Sequence, residues 1–395
     1  MTIAWGTDNE LTDSQFYNRV DDINMISNLL YSSTQGSTPT LFLTGIRGVG
    51  KTALIRKIKR QFDEEFLVIY ADLSKSDAYQ DNRFDRESVI RLLYDCIIKE
   101  CEKKGLKTFD KKIKKIFKTN DISIDKIINY NNLPIPVPEI NENYTKLANF
   151  VINLPQEIYH EYEKEIKGVF IFFDEFQLLK ELNQQLDSFL WFLRSSIQDQ
   201  KNVAYVLTGS MSLKDEFIEQ VAGSNGAFGG SILTLEIKQF SYETTRSYLK
   251  EKADHLTFTE DGLKQFYTYT RGIPTYINTF AKCLPPDKLL DKDTLKEEFK
   301  HILPLLAMHY INLWYELTNQ EQKIITSLIK KPLKRKDLAE KLNVTSGSIS
   351  KPLKKLQNLI LIELDNKEYM IADPILKLWL EDYYDKYQVY PYRTP

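Results

Sequence analysis

The chain has 395 residues, a net charge of −2, 42% apolar and 27% charged residues. That length is too great for one ordinary hydrophobic core and predicts two or three domains, while the composition excludes wholesale disorder. The overall charge neither selects nor excludes a nucleic-acid partner, so local patches must decide. The N-terminal stretch "MTIAWGTDNELTD" lacks the basic start and apolar centre of a signal peptide. No apolar run approaches the roughly 20 residues that span a bilayer. Cys96, Cys101 and Cys283 cannot all pair within one chain and none belongs to a CxxC, a pattern that fits free thiols in a reducing cytosol. His160, His255, His301 and His309 are scattered, and no structural metal is expected. A soluble cytoplasmic protein with no membrane partner is the reading.

In chain order, the first strong element is an apolar strand at Leu41–Thr44, followed by the loop Gly45-Ile46-Arg47-Gly48-Val49-Gly50-Lys51-Thr52. The loop fits GxxxxGK[ST] without mismatch, between a strand and the amphipathic helix "KTALIRKIKRQF". Glycines let backbone N–H groups converge on a phosphate with no Cβ in the way. Lys51, expected to be exposed, would reach the β and γ oxygens. Thr52 would ligand Mg²⁺, and Ala53 would complete the binding stretch in the first helical turn. Only one Asn-Lys pair exists, Asn366-Lys367, and it does not continue as the guanine motif NKxD, so adenine is the expected base.

A second strand is expected at Leu67–Ala71, then a long crossover from about Phe84 to Ile166. The crossover holds the amphipathic "RESVIRLLYDCIIKECEKKG", a lysine-rich helix at "KKIKKIF", and "NNLPIPVPEINEN", which its prolines make extended. Next, "GVFIFFDEFQLL" reads as a central parallel strand, Val169–Phe173, delivering Asp174 and Glu175 at its carboxyl end. Asp174 would hold Mg²⁺ and Glu175 would polarise the attacking water. Ala204–Leu207 forms another strand ending in Thr208-Gly209-Ser210. By residue type, Ser210 fits a γ-phosphate sensor and an ordinary Ser/Thr turn equally well. A last strand at Ile232–Leu235 completes a pattern of parallel, doubly wound α/β structure.

From Ser241, read as a helix N-cap, to about Leu317 the pattern is wholly helical. The final module then runs helix ("LTNQEQKIITSLIK"), helix ("RKDLAEKLNV"), turn, helix and strand ("TSGSISKPLKKLQNLILIEL"), and hairpin return with a closing helix. This is a winged helix-turn-helix pattern, whose third helix would read a major groove. Pro352 implies that this helix either starts there or is distorted. Residues 330–355 carry nine basic side chains against two acidic ones, leaving −9 for the rest of the chain. That asymmetry favours a double-stranded DNA contact through Lys351, Lys354 and Lys355 by counterion release. Winged helices that bind only protein leave the alternative open.

Taken together these residues resemble an archaeal-type ATPase of the STAND class, P-loop switches related to AAA+ proteins, and are more distantly similar to archaeal origin-recognition initiators. "FYNRVDDINMISNLL" is similar to the family's N-terminal box against the adenine; Arg19 matches and Asn18 stands where the box has glycine. "IFFDEFQ" matches Walker B, and "RGIPTYINTF" is similar to the Gly-x-Pro motif of the lid. The resemblance implies that Pro274 packs near the base, Arg271 acts as a lid arginine, and Arg194 is a candidate arginine finger. It implies an ATPase core at 1–238, a helical lid at 239–312 and a winged helix-turn-helix domain at 313–395. ATP or ADP with Mg²⁺ would be the cofactors of a slow ATPase whose ATP state favours self-association or a protein partner. The alternative is a DNA-binding initiator or regulator whose grip ATP controls. A small-molecule kinase would leave Asp174-Glu175 and the basic module unexplained.

Overall fold

The computed structural model describes residues 11–36, 38–106, 144–211 and 215–392, with the backbone of 124–130 and 133–138. The lysine-rich stretch 111–117 lies outside the described residues. Two compact units result: Arg19–Arg47 with Lys51–Ile237 forms the first, and the chain from Lys238 on, with Gly48–Gly50 and the residues up to Asn18, forms the second.

The first unit is α/β. Its strands β1 (Thr40–Thr44) and β2 (Leu67–Asp72) precede a two-stranded hairpin, β3 (Ile124–Tyr130) and β4 (Leu133–Pro138). Then come β5 (Val169–Asp174), β6 (Val203–Thr208) and β7 (Ile232–Glu236). Five of these make one sheet in the order β2-β5-β6-β1-β7, with every pair parallel. β1, β5 and β6 are buried at every residue, which is why their sequences are apolar apart from the threonine and aspartate residues at their ends. β2 and β7 are the edges. In β4 the prolines fall at alternate positions, 134, 136 and 138. Their missing N–H groups therefore lie along one edge of the strand.

The helices of this unit are α1 (Val20–Tyr31), α2 (Lys51–Phe62), α3 (Asp77–Gln80), α4 (Arg86–Lys104), α5 (Tyr144–Tyr162), α6 (Leu186–Ile197) and α7 (Glu216–Ala222). α4 starts at a capping box between Asp85 and Ser88 and stops at Gly105. Its buried stripe, Val89, Ile90, Leu93 and Ile97, joins Ala148, Val151 and Ile152 of α5 and the inner side chains of the sheet in one cluster. Each such fully buried large aliphatic or aromatic side chain contributes about 1.5–3 kcal/mol. The register sets Asp72 opposite Asp174, Phe173 opposite Leu207 and Leu43 opposite Thr208, so four strands end at one level.

The second unit comprises α8 (Tyr242–Lys252), β8 (Thr257–Phe258), α9 (Glu260–Thr270), α10 (Pro274–Cys283), β9 (Leu289–Leu290) and α11 (Lys292–Glu316). It continues with α12 (Asn319–Leu328), β10 (Leu333–Lys334), α13 (Arg335–Lys341), α14 (Ser350–Asn358), β11 (Ile362–Asp365), β12 (Glu368–Ile371) and α15 (Pro374–Tyr387). The Ser241 hydroxyl accepts the Thr244 N–H at 3.0 Å, as expected of its cap. The wholly helical reading of 241–317 needs correction: β8 and β9 pair in parallel. Two residues per strand are too few for a period-2 signal. α14 starts at Ser350, so Pro352 is its third residue; in the first turn its missing N–H has no partner to lose. β11 and β12 turn at Asn366 and Lys367, both with positive φ, and β10 pairs with β12 to give an antiparallel sheet of order β10-β12-β11.

One hydrophobic cluster runs through this unit from Phe266 and Phe280 to Trp314, Ile324, Leu353 and Leu380. A buried polar group sits in it. The Tyr276 hydroxyl of α10 donates to Asp373 Oδ2 at 2.6 Å, and Asp373 Oδ1 accepts the Ile375 and Leu376 N–H groups at the start of α15. Burial raises the Asp373 carboxyl, against the pull of the Tyr276 and Tyr310 hydroxyls and the two backbone donors. Replacing Tyr276 with Phe keeps the ring and removes a donor from a buried carboxyl. A loss of about 1–3 kcal/mol in unfolding free energy is expected, read from urea midpoints.

Candidate functional site

β1 runs into a glycine loop in which Gly48 (φ +83°) and Gly50 (φ +95°) take backbone conformations that side-chain-bearing residues rarely adopt. The loop is pinned at its start, where the Gly45 N–H donates to the Met211 carbonyl at 3.0 Å. α2 begins immediately after it, so the unpaired N–H groups of its first turn lie at the loop. Lys51 differs from its expected exposure: it is 6% exposed. The loop curls back so that Nζ donates to the Gly45 carbonyl at 2.7 Å and the Ile46 carbonyl at 3.1 Å. Burial brings its ammonium down to about 8, opposed by Glu175 and Asp174, with Arg47 adding to the lowering.

Asp174, at the end of β5, is buried and collects four donors. Oδ2 accepts from the Tyr70 hydroxyl at 2.6 Å and the Thr52 hydroxyl at 2.9 Å; Oδ1 accepts the Glu175 N–H at 3.0 Å and the Thr208 hydroxyl. The strand order accounts for this set. β5 lies between β2, which carries Tyr70, and β6, which carries Thr208, while Thr52 comes from the first turn of α2. Burial, with Asp174 next, raises the Tyr70 hydroxyl and keeps it a donor. Glu175 has left-handed backbone (φ 55°, ψ 38°), and burial, then Asp174, raises its carboxyl. Gln177 Nε2 donates to Glu175 Oε2, and Gln177 Oε1 accepts the Ser210 N–H at 3.1 Å.

The structure thus joins Lys51, Thr52, Asp174, Glu175 and Ser210 at the carboxyl ends of the strands, with Arg47, Val49 and Ala53 in the loop and its helix. Arg194, Arg271 and Pro274 stand outside that hydrogen-bond network. Arg194, in the last turn of α6, lies 5.4 Å from the Trp191 ring centre. Arg271 is the left-handed residue that ends α9, and Pro274 opens α10. Arg19 pairs with Asp22 at 3.4 Å ahead of α1. Asn18 has φ 60°, the region glycine takes freely and asparagine tolerates best among the rest, so the departure from glycine there preserves the backbone path. Tyr17 and Asn18 line a cleft of about 390 Å³ with Glu243, Thr244 and Ser247.

Sequence reading missed Tyr70 and Gln177. Tyr70 sits two residues before the end of an edge strand, and its role follows only once β2 is known to border β5. Gln177 lay in plain view beside Asp174-Glu175, but nothing in the sequence connects it to Ser210.

The family model described as an ATPase domain predominantly from Archaea matches residues 16–280. The chain belongs to this family of ATPase domains. A Walker-type ATPase of Pyrococcus abyssi has the same fold at 18% identity and a TM-score of 0.62, over 94% of this chain and 98% of that one. The ORC1 protein of Aeropyrum pernix in complex with DNA aligns at 12% identity and a TM-score of 0.47, over 95% of each chain. Comparison with curated protein sequences finds no match. Membership in this ATPase family implies nucleotide binding, usually with Mg²⁺.

The residues fit such a ligand. Thr52 and Asp174 bring a hydroxyl and a carboxylate within 2.9 Å, hard oxygen donors of the kind Mg²⁺ shares with phosphates and water. Among the described residues no cluster of three or more His, Cys, Asp or Glu is arranged to hold a metal, and none is needed for an ion held largely by phosphate and water. Also among the described residues, no helix is long and apolar enough to cross a membrane. Lys51→Ala removes the amine while leaving the loop glycines. It is expected to abolish the rise in melting temperature that Mg-ATP gives the wild type, measured by thermal-shift titration.

Proposed function

We propose that this member of the ATPase domain family binds Mg-ATP at Gly45–Ala53, hydrolyses it slowly, and uses the nucleotide state to control its C-terminal module. The observation that carries the reading is the Thr52–Asp174 hydrogen bond. It links the end of the glycine loop to an acidic residue 122 positions later, directly beside Glu175. In this reading the loop N–H groups and Lys51 bind the terminal phosphates, and Thr52 and Asp174 hold Mg²⁺. The bound ion would neutralise charge on the phosphate oxygens. Glu175 orients and deprotonates water, a task that a raised carboxyl pKa suits. Ser210 senses the γ-phosphate, Arg19 and Pro274 attend the base, Arg271 serves the lid, and Arg194 is the arginine finger.

The proposed organisation is an ATPase core at 1–238, a helical lid at 239–312 and a winged-helix module at 313–395. Coupling between the last two is supported by the Tyr276–Asp373 hydrogen bond. It connects α10, which opens at Pro274, to the cap of the closing helix α15. A change in the lid is thereby felt in the module, whose output would be assembly or a protein contact. Glu175→Gln should bind ATP as tightly as wild type while turnover falls about a hundredfold or more. Equilibrium binding beside a phosphate-release assay measures both.

A second reading, that ATP controls grip on duplex DNA, rests on α14. Leu353 and Leu356 are buried, and Lys351, Lys354 and Lys355 are exposed on the same helix. Lys355 is tied to the buried Glu321 carboxylate at 3.0 Å, so replacing it would strand that charge. Lys351→Glu with Lys354→Glu is the cleaner variant. Fluorescence anisotropy with duplex DNA across a salt series should show the log–log slope falling by about 0.9 per lost phosphate contact. Absence of any salt-dependent binding by the wild type would leave a protein-facing module.

A further inference from the structure

Gln177 occupies the first of the 3-10 turns at Phe176–Gln185, two residues beyond Glu175. Its amide bridges the exits of two strands. A carboxylate can only accept and a backbone N–H can only donate, so one amide orientation satisfies both ends: Nε2 toward Glu175 Oε2 and Oε1 toward the Ser210 N–H. Glycine at 209 leaves room for the bridge: a Cβ there would stand 3.0 Å from Gln177 Oε1 and would displace the end of the Met211 side chain. The segment Gly209–Met211 is in turn fastened to β1 and the loop. The Gly209 N–H donates to Leu43 O and the Gly45 N–H donates to Met211 O, both at 3.0 Å. A chain of contacts therefore runs from the first residue of the glycine loop, through the end of β6, to the carboxylate of Glu175.

We propose that Gln177 is a positioning residue that fixes the Glu175 carboxylate through one oxygen and ties its placement to the segment after β6 and the glycine loop. The inference rests on the reading of Glu175 as the group that activates water. Glutamate has three rotatable side-chain bonds, and its backbone here is left-handed, a conformation that persists only where surrounding contacts hold it. Securing Oε2 leaves Oε1 to face water. No other neutral side chain of this length offers a donor and an acceptor in one plane. Leucine at 177 would fill the space and make neither bond. Glutamate at 177 would keep an acceptor for Ser210 but set a like charge against Glu175.

Steady-state and single-turnover ATP hydrolysis by the full chain test this, with melting temperature as the folding control. Gln177→Leu and Gln177→Glu should each lower kcat by tenfold to a hundredfold, the worth of about one charge-assisted hydrogen bond. KM and the Mg-ATP dissociation constant should change by less than about threefold, since positioning acts on the transition state and not on uniform binding. In a Glu175→Gln background, Gln177→Leu should cost nothing further, because the carboxylate it positions is gone. Unchanged kcat in either single variant, or fully additive losses in the double variant, would overturn the inference. Wild-type turnover in Glu175→Gln alone would instead overturn the reading of Glu175, so the two failures are distinguishable.

Discussion

The structure of the first unit turns on a buried carboxylate that must be satisfied. Removing Asp174 from water costs several kcal/mol unless donors replace the solvent, and the fold supplies four: two side-chain hydroxyls from the neighbouring strands, one from α2 and a backbone N–H. Each donor constrains an element. Thr52 holds the start of α2, and with it the exit of the glycine loop, over the end of β5. Tyr70 and Thr208 hold the ends of β2 and β6 level with it. The same four donors that satisfy the charge also assemble the strand ends on which the proposed nucleotide chemistry depends. A sheet with another strand order would leave Asp174 short of partners.

This dependence explains what could be read in advance. The glycine loop, its lysine and threonine, and the apolar run ending in Asp174-Glu175 are local patterns, each contained within about a dozen residues, and local patterns survive in sequence. The parallel α/β sheet was legible for the same reason, since β1, β5 and β6 are buried on both faces and are apolar up to the polar residues at their ends. Tyr70 and Gln177 were hidden because their meaning lies in pairing. Tyr70 acts only because β2 borders β5, and Gln177 acts only because β6 does. The burial of Lys51 was misjudged because a charged residue beside three glycines looks exposed, whereas loop carbonyls can solvate an ammonium.

In the second unit the Ser241 cap followed from the sequence, while the residues of the other caps did not. Ser241 caps α8, and Thr318 with Glu321 forms a capping box at α12. The short strands β8 and β9 did not follow, being two residues each. Charge was legible as an excess of lysine but not as a surface. Lys355 spends its charge on the buried Glu321, a pairing that spans 34 positions and that no local count reveals. The Tyr276–Asp373 contact belongs to the same class, long in sequence and short in space. Both show why net charge and periodicity locate a module without describing what its residues hold.

The central claim is that Lys51, Thr52 and Asp174 form one site for a metal-bound nucleotide. A crystal structure with a non-hydrolysable ATP analogue and Mn²⁺, read by anomalous scattering, tests it most directly. The account predicts terminal phosphates within the glycine loop and in contact with Lys51, and a single anomalous peak at Thr52 with Asp174 beside it, bonded directly or through water. Phosphates bound away from the loop, or a metal peak remote from both Thr52 and Asp174, would contradict it.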